Sequence, residues 1–336
     1  MRFKLAALAM AVSLIAVLVP EARATISTYF NNPPSSNSID TRVCEVINAA
    51  KSYCYVAIYS LNQPSIVNAL IAAKGRGVDV RVVTDTDYRW KSGFQPSYDS
   101  LVAAGIPVVE DNRSALMHNK FIVVDGTKVV TGSYNFTTDQ TTADKNNIII
   151  FSGSSTLAAK YKSEFLQMYS GVFGASKVDY SGSTTVDGST VYVYFSPKAA
   201  VRTAVSSHIA TANTSVYFDI FTFTDSTIQN ALKARKAAGC TVQGTFDSWQ
   251  AGSTYTTLKS AGCAVRKDAY AGLLHDKYLA IDGGTSSSPR TVTGSFNWTA
   301  AADDANDENC VAILNSTVTS AYKADAIYVY TYKSSY

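Results

Sequence analysis

Histidine, cysteine and excess charge are all scarce in this sequence. Its 336 residues include three histidines and five cysteines, and only 16% of them are charged. The cysteines (Cys44, Cys54, Cys240, Cys263 and Cys310) form no CxxC pair and are too few to scaffold a chain this long; their odd number leaves at least one unpaired in a monomer. A zinc centre would have to be gathered from these scattered residues and the few histidines, so the sequence calls for no metal and no cofactor. With 29 Lys+Arg against 26 Asp+Glu, global charge cannot attract nucleic acid or an anionic membrane. Affinity for phosphate has to come from locally placed cations.

The chain is nevertheless 46% hydrophobic, enough for a sizeable core, and is neither disordered nor fibrous. Arg2 and Lys4, the apolar run from Leu5 to Val19, and Ala22-Arg23-Ala24 read as a secretory signal peptide over residues 1–24. The run is shorter than the roughly 20 residues a bilayer span needs, so no stable membrane span is expected after cleavage. The expected location is secreted or periplasmic. Cleavage would remove Arg2, Lys4, Arg23 and Glu21 and bring the net charge to +1.

What remains is one unit written twice. Val67 to Leu70 (VNAL) returns as Gln229 to Leu232 (QNAL), and LVAAGIPV at 101–108 returns as LKSAGCAV at 258–265. The offset falls by five because the segment after Thr86 is longer in the first copy, a change that loops tolerate. In each copy short apolar strands alternate with helices. Tyr53 to Tyr59, 78–85 and Ile106 to Glu110 are predicted strands, and Ser65 to Lys74 and Tyr98 to Ala104 predicted helices. The second copy repeats this from Ser215 to the strand after Gly262, which implies mostly parallel central sheets covered on both faces. The expected organisation is a first half over 25–175, a Ser/Thr/Gly-rich linker over 176–190, and a second half over 191–336.

Two of the three histidines sit in the same context. His118, Lys120 and Asp125, and again His275, Lys277 and Asp282, spell H-x-K-x4-D. Each run ends at Asp-Gly, a turn signal, and strand alternation puts each histidine and its lysine on one face. A second element follows each motif: Gly132-Ser133-Tyr134-Asn135 and Gly294-Ser295-Phe296-Asn297, both G-S-x-N. Two imidazoles, two ammonium groups, two hydroxyls and two carboxamides make a donor-rich pocket suited to a phosphate. Cleaving a phosphodiester needs a nucleophile, an acid and cations for the non-bridging oxygens. The third histidine, His208, has no lysine at +2 and reads as a surface or packing residue.

With these motifs the chain resembles the phospholipase D superfamily, whose signature is the paired H-x-K-x4-D followed by G-S-x-N. Its halves look most like the small bacterial endonuclease and mitochondrial cardiolipin hydrolase types, fused in tandem. The resemblance implies α/β/α sandwich halves about a pseudo-twofold axis, one site at their interface, and a monomer that carries its own pseudo-dimer. It further implies a phosphohistidine intermediate, with His118 and His275 as nucleophile and acid/base. Lys120, Lys277, Asn135 and Asn297 would then hold the phosphate, supported by Ser133 and Ser295. Asp125 and Asp282 complete the catalytic motifs but stabilise strand and turn rather than touch substrate. A phospholipid is the first expected substrate, DNA or RNA the alternative; phosphatidyl transfer and an inactive phosphate-binding module rank below.

That superfamily places an acidic residue shortly after G-S-x-N; the second copy keeps it as Glu308, whereas the first has Asn146 and lacks the carboxylate. If each serves its own half, Glu308 makes His275 the better acid and His118 stays neutral to attack.

Overall fold

A computed structural model describes residues 24–32, 39–284, 288–332 and 334–335. Apart from Ala24, the expected signal segment lies outside them. The first half contains strands β1 (Thr25–Asn31), β2 (Tyr53–Ile58), β3 (Asp79–Thr84), β4 (Val108–Glu110), β5 (Lys120–Val124), β6 (Lys128–Gly132) and β7 (Asn146–Ser152). They form one sheet in the order β1-β7-β6-β5-β2-β3-β4. The second half contributes β8 (Gly182–Val186), β9 (Ser189–Ser196), β10 (Ser215–Ile220), β11 (Thr241–Phe246), β12 (Ala264–Asp268), β13 (Lys277–Ile281), β14 (Arg290–Gly294), β15 (Glu308–Leu314) and the two-residue β16 (Ser334–Ser335). Their order is β16-β12-β11-β10-β13-β14-β15-β9-β8.

The sheets are mixed, which corrects the expectation of mostly parallel sheets. Only β2-β3-β4 and β10-β11-β12, the strands joined through helices, run parallel. The motif strands belong to antiparallel hairpins: β5 pairs with β6 and β2, and β13 with β14 and β10. The Asp-Gly signal after each motif falls where that hairpin reverses; in the first half three residues, Asp125 to Thr127, join β5 to β6. The stretch expected to be a linker also carries structure, since β8 pairs antiparallel with β9 at the edge of the second sheet. Alternate exposure of its small polar residues suits an edge strand. At its start Lys177 is buried, ion-paired with Glu164 and, at 2.7 Å, with Asp307.

Helices Pro64–Gly75 and Gln95–Ala103 cover the outer face of the first sheet, and Ser226–Ala237 and Ser253–Ser260 that of the second. Between the sheets lies a third cluster drawn from both halves, in which Tyr55, Phe121 and Phe165 of the first share one core with Phe195, Tyr278 and Tyr322 of the second. Helices Ser155–Tyr169 and Ser316–Tyr332 pack into it. The boundary between the halves is therefore a hydrophobic core, and apolar burial of this extent fixes their relative placement. All five cysteines are free thiols. Among the described residues no helix is long and apolar enough to cross a membrane.

Candidate active site

Each motif begins where the two halves exchange backbone hydrogen bonds. His118 N donates to Asp307 O and His275 N to Lys145 O, both at 2.9 Å; Asp307 N and Lys145 N return bonds to Leu116 O and Leu273 O. The residue after each bridge, Glu308 or Asn146, opens β15 or β7 and is aimed at the other half's imidazole. His118 Nδ1 lies 2.7 Å from Glu308 Oε2, and His275 Nδ1 lies 3.0 Å from Asn146 Oδ1.

This crossing overturns the expected pairing within each half: the carboxylate serves His118 and the amide serves His275. Each half lends its strand end to the other, so sequence proximity points to the wrong partner. The hydrogen-bond network assigns the tautomers. Asn146 Oδ1 also accepts from Ser133 Oγ at 3.0 Å, and Glu308 presents carboxylate oxygens, so both Nδ1 atoms carry protons and both Nε2 atoms keep lone pairs.

The lysines close the pocket. Lys120 Nζ donates to His118 O at 2.8 Å and Lys277 Nζ to His275 O at 2.6 Å, which leaves each ammonium with further donors. His118, Lys120, His275, Lys277 and Glu308 are all at most 5% exposed and act on one another electrostatically. Burial pushes His118 down to about 4 against the pull of the Glu308 carboxylate. It pushes His275 well below its ordinary value, helped by Lys277 and Lys120. Lys120 is likewise driven down by burial, and Lys277 to about 7. Buried cationic and imidazole groups held together in this way are costly to charge at once, and an anion among them would lower that cost.

The G-S-x-N elements support this geometry from behind. Ser133 Oγ accepts from Asn147 N, and Ser295 Oγ from Asn309 N, both at 3.0 Å. These hydroxyls hold the neighbouring strand and, for Ser133 through Asn146, the His275 ring. A side chain at Gly132 would place Cβ 2.2 Å from Asn147 O, and at Gly294 2.3 Å from Asn309 O, so only glycine lets the strands close here. The carboxamide oxygens of Asn135 and Asn297 are buried with no partner among the described residues; as acceptors they cannot meet a phosphate oxygen, for which each side chain has its NH2 donor.

Asp125 and Asp282 stand at the far ends of β5 and β13, away from the imidazoles. Both adopt left-handed backbone, with φ of 50° and 54°. The Asp125 carboxylate accepts from Lys51 N, Ser52 N and Tyr53 N, and that of Asp282 from Asn213 N, Thr214 N and Ser215 N. Burial works to raise both carboxyls, but these donors outweigh it and hold them below the ordinary value. A depressed acid stabilises the fold above its unfolded value near 3.9 and loses that contribution as pH falls through the folded value. D282N should therefore cost about 2–3 kcal/mol in urea unfolding at pH 7, and the deficit should shrink toward pH 3.

Several functional positions escaped sequence reasoning. Asp85 Oδ2 accepts from Met117 N at 3.2 Å and Asp247 Oδ2 from Leu274 N at 2.9 Å, each fixing the residue before a motif histidine. They lie 162 positions apart, the VNAL/QNAL offset, and that recurrence was the signal available. Asn147 and Asn309 reach across the boundary to Asp276 and Asn119 at 2.6 and 3.1 Å. Tyr59 and Phe221 lay their rings 4.8 and 4.9 Å from His118 and His275. His208 sits apart, between Tyr194 Oη and Arg290, in the packing role expected of it. Among the described residues no cluster of three or more His, Cys, Asp or Glu is arranged to hold a metal ion.

Two mixed α/β halves that cross-brace a pair of histidines define a duplicated H-x-K protein. Residues 43–169 and 205–328 each match the family described as "Cardiolipin synthase, PLD-like domain", and the chain belongs to that phospholipase D-like family. It is 35% identical to a mitochondrial cardiolipin hydrolase of Xenopus tropicalis over 136 residues, 40% of this chain and 63% of that protein. It is 33% identical to a phospholipase D of Rickettsia prowazekii over 129 residues, 38% of this chain and 60% of that protein. The chain thus spans less than two thirds of these relatives' length. A phosphatidylserine synthase structure from Haemophilus influenzae shares the fold over 91% of this chain and 88% of its own, with a TM-score of 0.67 and 14% identity.

Proposed function

We propose that the protein is an exported phosphodiesterase that hydrolyses phospholipid head-group esters through a phosphohistidine. The observation that carries this reading is the crossed pair, two buried imidazoles with Nε2 free, each oriented by the other half beside two lysines. The names of the curated relatives, phospholipase D and cardiolipin hydrolase, support the lipid class. Export rests on the N-terminal apolar run.

Roles follow from where charge develops. When His118 Nε2 attacks phosphorus, its ring becomes cationic, and Glu308 stabilises that charge as it forms. The same carboxylate behind the acid would stabilise charge that the transition state loses. His275, backed by a neutral amide, takes up a second proton on Nε2 from solvent as the phosphodiester anion binds, and gives that proton to the departing head-group oxygen as the phosphorus–oxygen bond breaks. It then takes a proton from water, whose oxygen attacks phosphorus and releases neutral His118. Lys120, Lys277, Asn135 and Asn297 hold the non-bridging oxygens. The roles match the initial expectation, but the reason is the opposite one.

In this scheme kcat/KM peaks on the acid side of neutrality. It rises as His118 sheds its proton near pH 4 and falls above about 7, where Lys277 loses its charge. K277R, with a permanent charge, should remove about one unit from the alkaline slope. An optimum above pH 8 would contradict the assignment. The activity itself is tested by offering purified protein phosphatidylcholine, cardiolipin and single-stranded DNA: free head group or phosphatidic acid supports the lipid reading, and nicked DNA alone replaces it with the nuclease reading.

A further inference from the structure

We infer that Trp90 and Trp249 form a two-point anchor that seats the catalytic mouth on a phospholipid surface, an inference that rests on the phospholipid reading above. The chain has three tryptophans. Trp298, beside the second G-S-x-N, is 2% exposed, whereas Trp90 and Trp249 are 55% and 76% exposed.

The two exposed indoles occupy matching places. Trp90 closes the short helix Thr86–Trp90 and Trp249 sits in a turn, each in the segment that leaves a parallel strand, β3 or β11, at the end carrying Asp85 or Asp247. Those aspartates accept from the residue before each motif histidine and, within their own loops, from Asp87 N at 3.1 Å and Trp249 N at 3.0 Å. One tryptophan loop is thus rooted on each side of the pseudo-twofold site. On the first side the root continues through side chains: the Tyr59 ring beside His118 meets Tyr88 at 4.6 Å. The Lys91 ammonium lies 4.7 Å above Tyr88 and has no carboxylate partner among the described residues.

An indole left in water forfeits the burial of a large apolar ring. At the head-group level of a bilayer the ring is buried and its N–H stays at the polar level, where Trp90 Nε1 already donates to Glu110 Oε2 at 2.6 Å and the Arg89 guanidinium lies 4.3 Å from its ring. A lone ammonium beside it complements a surface of phosphates. A nucleic-acid strand would stack on rings lining its path, as Tyr59 and Tyr88 could offer. The tryptophans instead flank the mouth, one on each half, as contact with an extended surface requires.

The test compares wild type with W249A and with W90A/W249A in three assays: co-sedimentation with phosphatidylcholine/phosphatidylglycerol vesicles, release of head group from those vesicles, and hydrolysis of soluble bis(4-nitrophenyl) phosphate. The double variant should lose at least about tenfold in vesicle binding and vesicle turnover, with W249A intermediate, while soluble turnover stays within about twofold. The anchor is overturned if lipid turnover by wild type survives both substitutions, or if soluble turnover falls in parallel, since the loops would then serve the site itself. It is also overturned if the substitutions weaken oligonucleotide cleavage and spare vesicles. A wild-type protein that cleaves the soluble ester but no vesicle lipid defeats the phospholipid reading, and the anchor with it.

Discussion

Replacing either motif histidine alone, as H118N or H275N, should abolish turnover, by about 10⁴-fold or more, and the double variant should be no worse than the single ones. The expectation follows from the shared site. The imidazoles belong to different halves, yet each is held by the other half's strand end, and the two lysines act on both rings. If the halves were two independent catalysts, each single variant would keep about half of the activity, because one intact motif would remain; strict non-additivity distinguishes a unit from a pair. Steady-state rates on a soluble phosphodiester decide between these outcomes, and circular dichroism controls for folding. Asparagine retains a polar group near the Nδ1 position, so Glu308 and Asn146 keep a partner and the variants need not collapse.

The second large effect concerns Glu308. E308Q retains the shape and one acceptor oxygen but removes the charge behind His118, and should lower kcat by roughly 10³-fold with little change in KM. The loss falls on kcat because the carboxylate interacts most strongly with the cationic ring formed in the transition state. At the corresponding position the protein already carries an amide, Asn146, so N146Q should be tolerated far better than E308Q. If the two substitutions were equally harmful, Glu308 would be acting through geometry alone. If E308Q left kcat unchanged, charge would have no part in His118 reactivity.

Much of this site was legible before any coordinates. The two H-x-K-x4-D runs and the two G-S-x-N elements recur in register, and repetition at domain spacing is a stronger signal than either motif alone. The helices at Pro64–Gly75 and Ser226–Ala237 and the strands at Tyr53–Ile58 and Ser215–Ile220 fall where periodicity put them. What stayed hidden depends on contacts between distant segments. Nothing in the order of residues tells Glu308 to reach His118 rather than His275; the exchange of bonds at Asp307 and Lys145 decides it. The mixed sheets were missed for a different reason: the Asp-Gly turn after each motif was recognised, but its consequence, an antiparallel hairpin at the sheet centre, was not drawn. The strand Gly182–Val186 escaped because Ser, Thr and Gly have the composition of a linker, and only pairing with β9 makes them a strand.

The most direct test of the account maps the covalent intermediate. H275N, mixed with a phosphodiester bearing a good leaving group, quenched at alkaline pH and digested, should carry the phosphoryl adduct on the peptide containing His118, and H118N should carry none. An adduct on His275 in H118N, with none on His118 in H275N, would contradict the assignment of the Glu308-backed ring as nucleophile.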